Sequence, residues 1–451
     1  MDDVTKAAGN AIDLLQDLIG RARRAGADAA DAVFFEGTSL SHMRRLGKTE
    51  KLERSEGHDL GLRVLIGHRQ AIVSSNDRSP AALAELVERA AAMARAVPED
   101  PFCGLADAAE IAREWPRLDM LDPEEPSAEL LIERARIAEE AALAVKGVTN
   151  SEGAEADWVR SSVALAASNG FAGAYAGSSH GVSASVLGGS ASGMERDYDF
   201  TSAVYATDLA NPAAIGKSAG ERAVKRLGSR KMPTCRCPVV FDPRVARSFL
   251  SHLLGAISGP AIARGTSFLK DCLGQQVFPA EITVVEDPHR NRGLRSKPFD
   301  GEGIANQRRA IIDKGILTTW LLDLRSARQL GLRTTGHAAR GTASPPSPAA
   351  TNISIEPGAY TPKELIHDIR IGFYITEMMG FGVNGVTGDY SRGAAGFWIE
   401  NGEIVYPVSE MTVAGNLKEI FARLVAADDL EFKTGADAPT LRVDDLTVAG
   451  A

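Results

Sequence analysis

The sequence predicts an α+β protein in two parts. Residues 1–230 read as an N-terminal α+β domain with helices packed on a sheet, and residues 231–451 as a C-terminal β-rich domain. Three observations predict this. Apolar residues recur at helical spacing through much of the first 150 residues and again after Asn211. A period-two pattern over 155–207 reads as a β-meander. Beyond Gly265 the chain is mostly short strands and turns, preceded by one main helix, 243–257.

Each element has a local cause. Ile12, Leu15, Leu18, Ile19 and Ala22 share one helical face, with Asn10 as the expected cap and Gly26 as the stop. DAVFFEG and LGLRVLIGHRQAIVSS follow as strands, with Gly67-His68 as a turn. Ser79-Pro80 opens a second helix, because proline suits the first helical position. Residues 97–126, rich in Pro, Asp and Glu, read as a linker or excursion. A helix from about Ser127 to Lys146 ends at Gly147. Val163, Leu165 and Ala167 then alternate with small residues up to the hairpin signal Asn169-Gly170. Asn211-Pro212 starts a helix with Ile215, Ala219, Ala223 and Leu227 on one face. The polar run Gly228 to Pro233 is the expected domain boundary. Asp242-Pro243 caps the helix of the second half, where Val245, Phe249, Leu253 and Ile257 form the apolar face. Asn401-Gly402 marks a second hairpin.

Composition narrows the function classes. At 451 residues the chain has room for about two large or three ordinary domains. Its formal charge of −9 argues against nucleic-acid partners and anionic membranes. No 18-residue apolar run is present, so no membrane-spanning helix is expected. The acidic start MDDVTKAAGN lacks the apolar core of a signal peptide. Four cysteines, two of them in Cys235-Arg236-Cys237, form no disulfide framework and predict free thiols and a cytoplasmic location.

Two motifs are decoys. Gly177 to Gly181 matches G-x-S-x-G, but a strand-like run follows where a nucleophile elbow needs a helix. Gly380 to Gly385 matches G-x-G-x-x-G, again with strand and glycine where a dinucleotide site needs a helix N-terminus. The eight histidines form no H-E-x-x-H face.

Several long strings, in order, resemble the TldD/PmbA family of metallopeptidases: LGLRVLIGHRQAIVSSND, GVTNSEGAEADW, GTSFLKDCLGQQVF, TNISIEPG, GVTGDYSRGAAGFWIENGEIVYPV and PTLRVDDLTVAG. The resemblance covers nearly the whole chain. It implies a two-domain TldD/PmbA-like fold whose C-terminal part is barrel-like. In the family's catalytic branch, H-E-x-x-x-H on a helix before the G-T-S string, with a cysteine near the C-terminus, binds zinc. Counting back from Gly265-Thr266-Ser267, Leu250 and Gly255 occupy the two histidine positions and Ser251 the glutamate position. The last cysteine is Cys272.

The pattern therefore resembles the PmbA/TldE branch, which lacks the metal motif. The resemblance implies no catalytic residue, metal ligand or cofactor in this chain, with zinc in a TldD-type partner subunit. It implies a complex that processes or degrades unfolded or modified peptides in the cytoplasm, and the isolated chain could pair with itself. Arg264, Gly265, Thr266, Asn352, Asp389 and Arg392 are the expected peptide-binding residues. Two alternatives stay open. One is a self-sufficient metallopeptidase built on His289 or His337 with nearby carboxylates. The other is a non-enzymatic, homodimeric binding or regulatory protein.

Overall fold

The computed structural model describes residues 2–190 and 193–450. The first helix, α1 (Asp2–Arg24), starts well before Asn10, which lies inside it rather than capping it. Gly26 ends it as expected, at φ 94°. Strands β1 (Ala29–Arg45), β2 (Lys48–Ile66) and β3 (Arg69–Ser75) follow, then α2 (Pro80–Ala96), capped by the Ser79 hydroxyl. Helix α3 (Ala128–Leu143) is capped by Ser127. The meander is β4 (Val148–Ala167), β5 (Ala172–Gly188) and β6 (Glu195–Ala203), followed by α4 (Pro212–Lys225). These six strands form one sheet in the order β3-β2-β1-β4-β5-β6, which leaves β6 at an edge.

The sheet's two faces do different work. Ala30, Ala32 and Phe34 of β1 pack with α1 and α2 residues such as Leu15, Leu18 and Leu86. Their alternate neighbour Val33 faces the other way, into a cluster with Leu165 and Phe171 and with Phe299 of the C-terminal half. Period-two alternation thus gives β1 one helix-facing side and one side that faces the rest of the protein. Residues 97–126 contain no helix or named strand, yet they are tied down. Arg328 donates to the Leu105 carbonyl at 2.6 Å, and Ala112 N to the Gly303 carbonyl at 2.8 Å.

The C-terminal half begins with β7 (Cys235–Phe241). The expected single helix 243–257 is instead two, α5 (Pro243–Ala246) and α6 (Ser248–Ala256). The break falls at Arg247, whose Nε donates to the Arg244 carbonyl at 3.1 Å and competes for an acceptor of the helical ladder. A short α7 (Gly259–Ala263) follows. Small strands come next: β8 (Val284–Glu286), β9 (Arg309–Asp313) and β10 (Ile316–Leu317), then α8 (Leu324–Leu330), β11 (Ala338–Ala339), β12 (Ser347–Pro348), β13 (Ile353–Ile355) and α9 (Pro362–His367). The long strands β14 (Ile371–Val383), β15 (Asp389–Glu400) and β16 (Glu403–Asn416) precede α10 (Leu417–Ala422), β17 (Leu424–Ala426), β18 (Ala436–Asp437) and β19 (Leu441–Ala449).

Strands β16, β15, β14, β7 and β19 pair in that order, and β16 pairs again with β19, so five strands close into a barrel. Asn401-Gly402 joins β15 to β16 with both residues at positive φ, the twist that a two-residue hairpin needs. The buried side of α6 fills the barrel region. Phe249 stands edge-on to Phe241 at 4.8 Å, and Leu250 and Leu253 are buried beside it.

Candidate functional site

A cavity of about 510 Å³ opens beside α6, between the two halves of the chain. Its walls come from β6 (Arg196, Asp197, Tyr198), the end of α4 (Arg226), α5 and α6 (Arg244, Arg247, Ser248, Ser251), β14 (Thr376, Glu377) and β15 (Arg392), with Arg295 completing them. Arg244, Arg247, Ser248 and Ser251 follow the i, i+3, i+4, i+7 spacing of one helical face, opposite Val245, Phe249 and Leu253. That polar stripe was the available sequence signal.

Six arginines line the cavity against two carboxylates. Arg226 Nη1 lies 2.5 Å from Glu377 Oε2. Arg244 Nη1 lies 2.7 Å from the buried Asp197 Oδ1, and Arg196 Nε 2.5 Å from Glu152 Oε2. Among the described residues, Arg247, Arg295 and Arg392 have no carboxylate within 4.0 Å. His252 packs against Phe249 and Tyr390 near Arg392. Burial first, and the Arg392 charge second, push its pKa down to about 4, so it stays neutral.

The expected peptide-binding residues do not form one patch. Arg392 lies in the arginine cavity. Gly265, at φ 68°, and Thr266 lie beside the β14–β15 turn, where Phe268 N donates to the Gly385 carbonyl at 3.0 Å. Asp389 stands at that turn and accepts from Thr387 and Asn416. Arg264 caps α7. Asn352 lines a neighbouring cavity and is fully engaged. It donates to the Asp287 carbonyl and Ser296, and accepts from Arg295 N at 3.0 Å, which places it behind the arginine cavity. The sequence reading missed Arg226, Arg244, Arg247, Arg295, Ser248 and Thr376.

At the positions that the resemblance matches to the zinc site, the side chains do not fit a metal. Leu250 is buried at 1% exposure, and Gly255 sits on the open side of α6, where an added Cβ would meet nothing within 4 Å. Among the described residues, no group of three or more His, Cys, Asp or Glu is placed to share a metal ion. His337 Nε2 is 2.5 Å from Glu286 Oε2, both buried, and that carboxylate also accepts from Thr351. His289 bonds Asn306 at 2.7 Å. The decoys are also placed: Ser179 lies in the middle of β5, paired with Val159, and β15 follows the 380–385 glycines.

Fold and site together define a strand-rich α+β protein with a cavity lined by arginine. Residues 30–94 match PmbA/TldA metallopeptidase domain 1, residues 121–227 the central domain, and residues 234–450 the C-terminal domain. The metalloprotease PmbA of Escherichia coli O157:H7 is 39% identical over 425 residues, covering 94% of this chain and 92% of that protein. This chain belongs to the PmbA/TldD metallopeptidase family. A crystal structure from Bacteroides thetaiotaomicron, described as a candidate modulator of DNA gyrase, superposes with a TM-score of 0.90 at 27% identity, covering 97% of this chain and 98% of that one. TldE from Thermococcus kodakarensis shares the fold at a TM-score of 0.87 and 20% identity, covering 97% and 100%. No helix among the described residues is long and apolar enough to cross a membrane.

Proposed function

We propose that this chain is the non-metal-binding subunit of a two-subunit metallopeptidase. It pairs with a TldD-type chain that carries zinc, and the pair processes or degrades unfolded or modified peptides in the cytoplasm. The observation that carries this reading is the residue set on α6: Leu250 in the core, Ser251 on the cavity wall and Gly255 in the open. Such a helix suits a wall of a peptide chamber, since none of the three offers a metal-ligating imidazole, thiolate or carboxylate. Family membership supports peptidase chemistry in the complex.

The cavity wall formed by β6 supports peptide binding in this chain through its side chains, since Tyr198 N donates to Asp197 Oδ1 and the Tyr198 carbonyl accepts from Arg244. The strand lines the cavity through Arg196, Asp197 and Tyr198. Arg392 is the expected binding residue best placed to meet a peptide there. The tip of the β14–β15 hairpin supports a protein-facing surface: Phe381 is 97% exposed there, flanked by exposed Met379 and Val386.

A pull-down from native lysate, read by mass spectrometry, tests the pairing. A TldD-type chain is the expected capture, and Phe381→Ser is expected to weaken it. The purified chain supplemented with zinc is expected to cleave nothing, and the mixture with its partner to cleave unfolded peptides. Chelator-sensitive proteolysis by the single chain, with stoichiometric zinc, would favour a self-sufficient metallopeptidase. Self-association without any TldD-type partner would favour a homodimeric binding protein.

A further inference from the structure

Three residues that line the cavity, Ser248, Thr376 and Arg392, each carry one buried side-chain polar atom without a hydrogen-bond partner in the protein. They come from α6, β14 and β15, far apart in sequence. The open polar capacity of the walls is therefore the guanidinium groups. The charge of the walls selects what they bind. Arg247, Arg295 and Arg392 have no carboxylate within 4.0 Å among the described residues, while Asp197 and Glu377 are taken by Arg244 and Arg226. Uncompensated guanidinium groups in a concave site focus positive potential and offer planar forks that match a carboxylate. Tyr198, Val245 and Met378 add apolar wall beside them, which suits an organic stem better than a bare inorganic ion.

We propose that this cavity is a carboxylate-binding pocket that anchors a peptide by an acidic group, either its terminal carboxylate or an Asp or Glu side chain. Arg247, Arg295 and Arg392 are its charged ligands. Asn352, by accepting from Arg295 N, is a positioning residue for one of those arginines. The inference rests on the reading that the chain handles peptides. It adds a preference: peptides bearing a carboxylate near the β6 edge bind in preference to neutral ones.

The test is fluorescence anisotropy on the purified full-length chain with four N-terminally rhodamine-labelled decapeptides. They carry glutamate or glutamine at mid-chain and end in a free acid or an amide. The glutamine amide peptide is expected to bind about tenfold or more weakly than at least one carboxylate peptide, and the arm that retains binding names the source of the carboxylate. The double variant Arg295→Gln, Arg392→Gln is expected to lose that preference while its circular dichroism and Tm stay near the parent's. Arg89→Gln, on the exposed side of α2, controls for net charge. Equal affinity for all four peptides would overturn the pocket, as would a preference untouched by the double variant. Displacement by inorganic phosphate well below the acetate concentration needed would overturn it in favour of a phosphate site. Capture of a TldD-type partner alongside equal peptide affinities would sink only the pocket. Carboxylate-dependent binding with no partner found would sink only the pairing.

Discussion

Arg340 Nη1 reaches across the two halves of the chain to stand 2.5 Å from Asp31 Oδ1 on β1, with both side chains buried. Arg63, on the neighbouring strand β2, grips the same carboxylate, its Nη2 2.5 Å from Oδ2. Burial alone would raise the Asp31 pKa, but Arg340 and Arg63 outweigh it and hold it below the usual value. Asp31 faces the C-terminal half for the same reason as Val33: both are on the side of β1 opposite Ala30, Ala32 and Phe34.

Asp31→Ala should therefore cost far more than a surface charge. It leaves two buried guanidinium groups without their shared anion, and breaking a buried pair costs about 3–5 kcal/mol. Urea unfolding followed by circular dichroism measures it. A loss below about 1 kcal/mol would show that Asp31 does not hold the two guanidinium groups.

Glu302 lies in the same buried cluster. Burial first, and the neighbouring Asp300 charge second, push its carboxyl up to about 8, against the pull of Arg63. A carboxyl with a raised folded pKa contributes stability that is present below its unfolded pKa of 4.5 and lost as pH rises through the folded value. Glu302→Gln keeps an acceptor for Leu324 N and removes the titration. The parent's Tm should fall relative to the variant's between about pH 5 and pH 8, then level off. A difference that does not change with pH would contradict the assignment.

Gly61 brings β2 against the backbone of Thr342, and a Cβ there would lie 2.3 Å from the Thr342 carbonyl oxygen. Backbone cannot swing aside as a long side chain can. Gly61→Ala should cost about 1–3 kcal/mol. Gly57→Ala, on the same strand with no neighbour within 4 Å of the added carbon, should stay within about 0.5 kcal/mol. Similar losses in both variants would mean that strand propensity, not contact between the halves, sets the cost.

Rebuilding the family's metal motif should fail. In the triple variant Leu250→His, Ser251→Glu, Gly255→His, the two histidines stand five residues apart, about 140° around an ideal helix. One replaces a core leucine and the other enters open space. No stoichiometric zinc is expected by elemental analysis, and the buried histidine should cost about 2–5 kcal/mol. A full equivalent of zinc in a stable variant would show that α6 rearranges.

Much of the local structure was legible because its causes are local. Ser79, Ser127, Asn211 and Asp242 cap helices where the sequence places them, each bonding a backbone N–H two or three residues on. Asn169-Gly170 and Asn401-Gly402 turn the chain because glycine, and asparagine at 401, tolerate positive φ. The start of α1 was misplaced because a polar residue inside a helix looks the same in sequence as one at its end. The break at Arg247 was missed because it depends on where a side chain finds an acceptor.

Most of the elements, the strand-rich second half and the family were legible in the sequence. Only the tertiary structure decided that β16 meets β19, closing the barrel between Thr412–Ala414 and Thr447–Ala449. It alone decided that arginines at 196, 226, 244, 247, 295 and 392 surround one cavity, and that Arg340 reaches Asp31. Caps, turns and apolar periodicity act over a few residues, so they are written in short strings. Barrel closure and a site shared by six segments depend on pairings between distant residues, which no local pattern encodes.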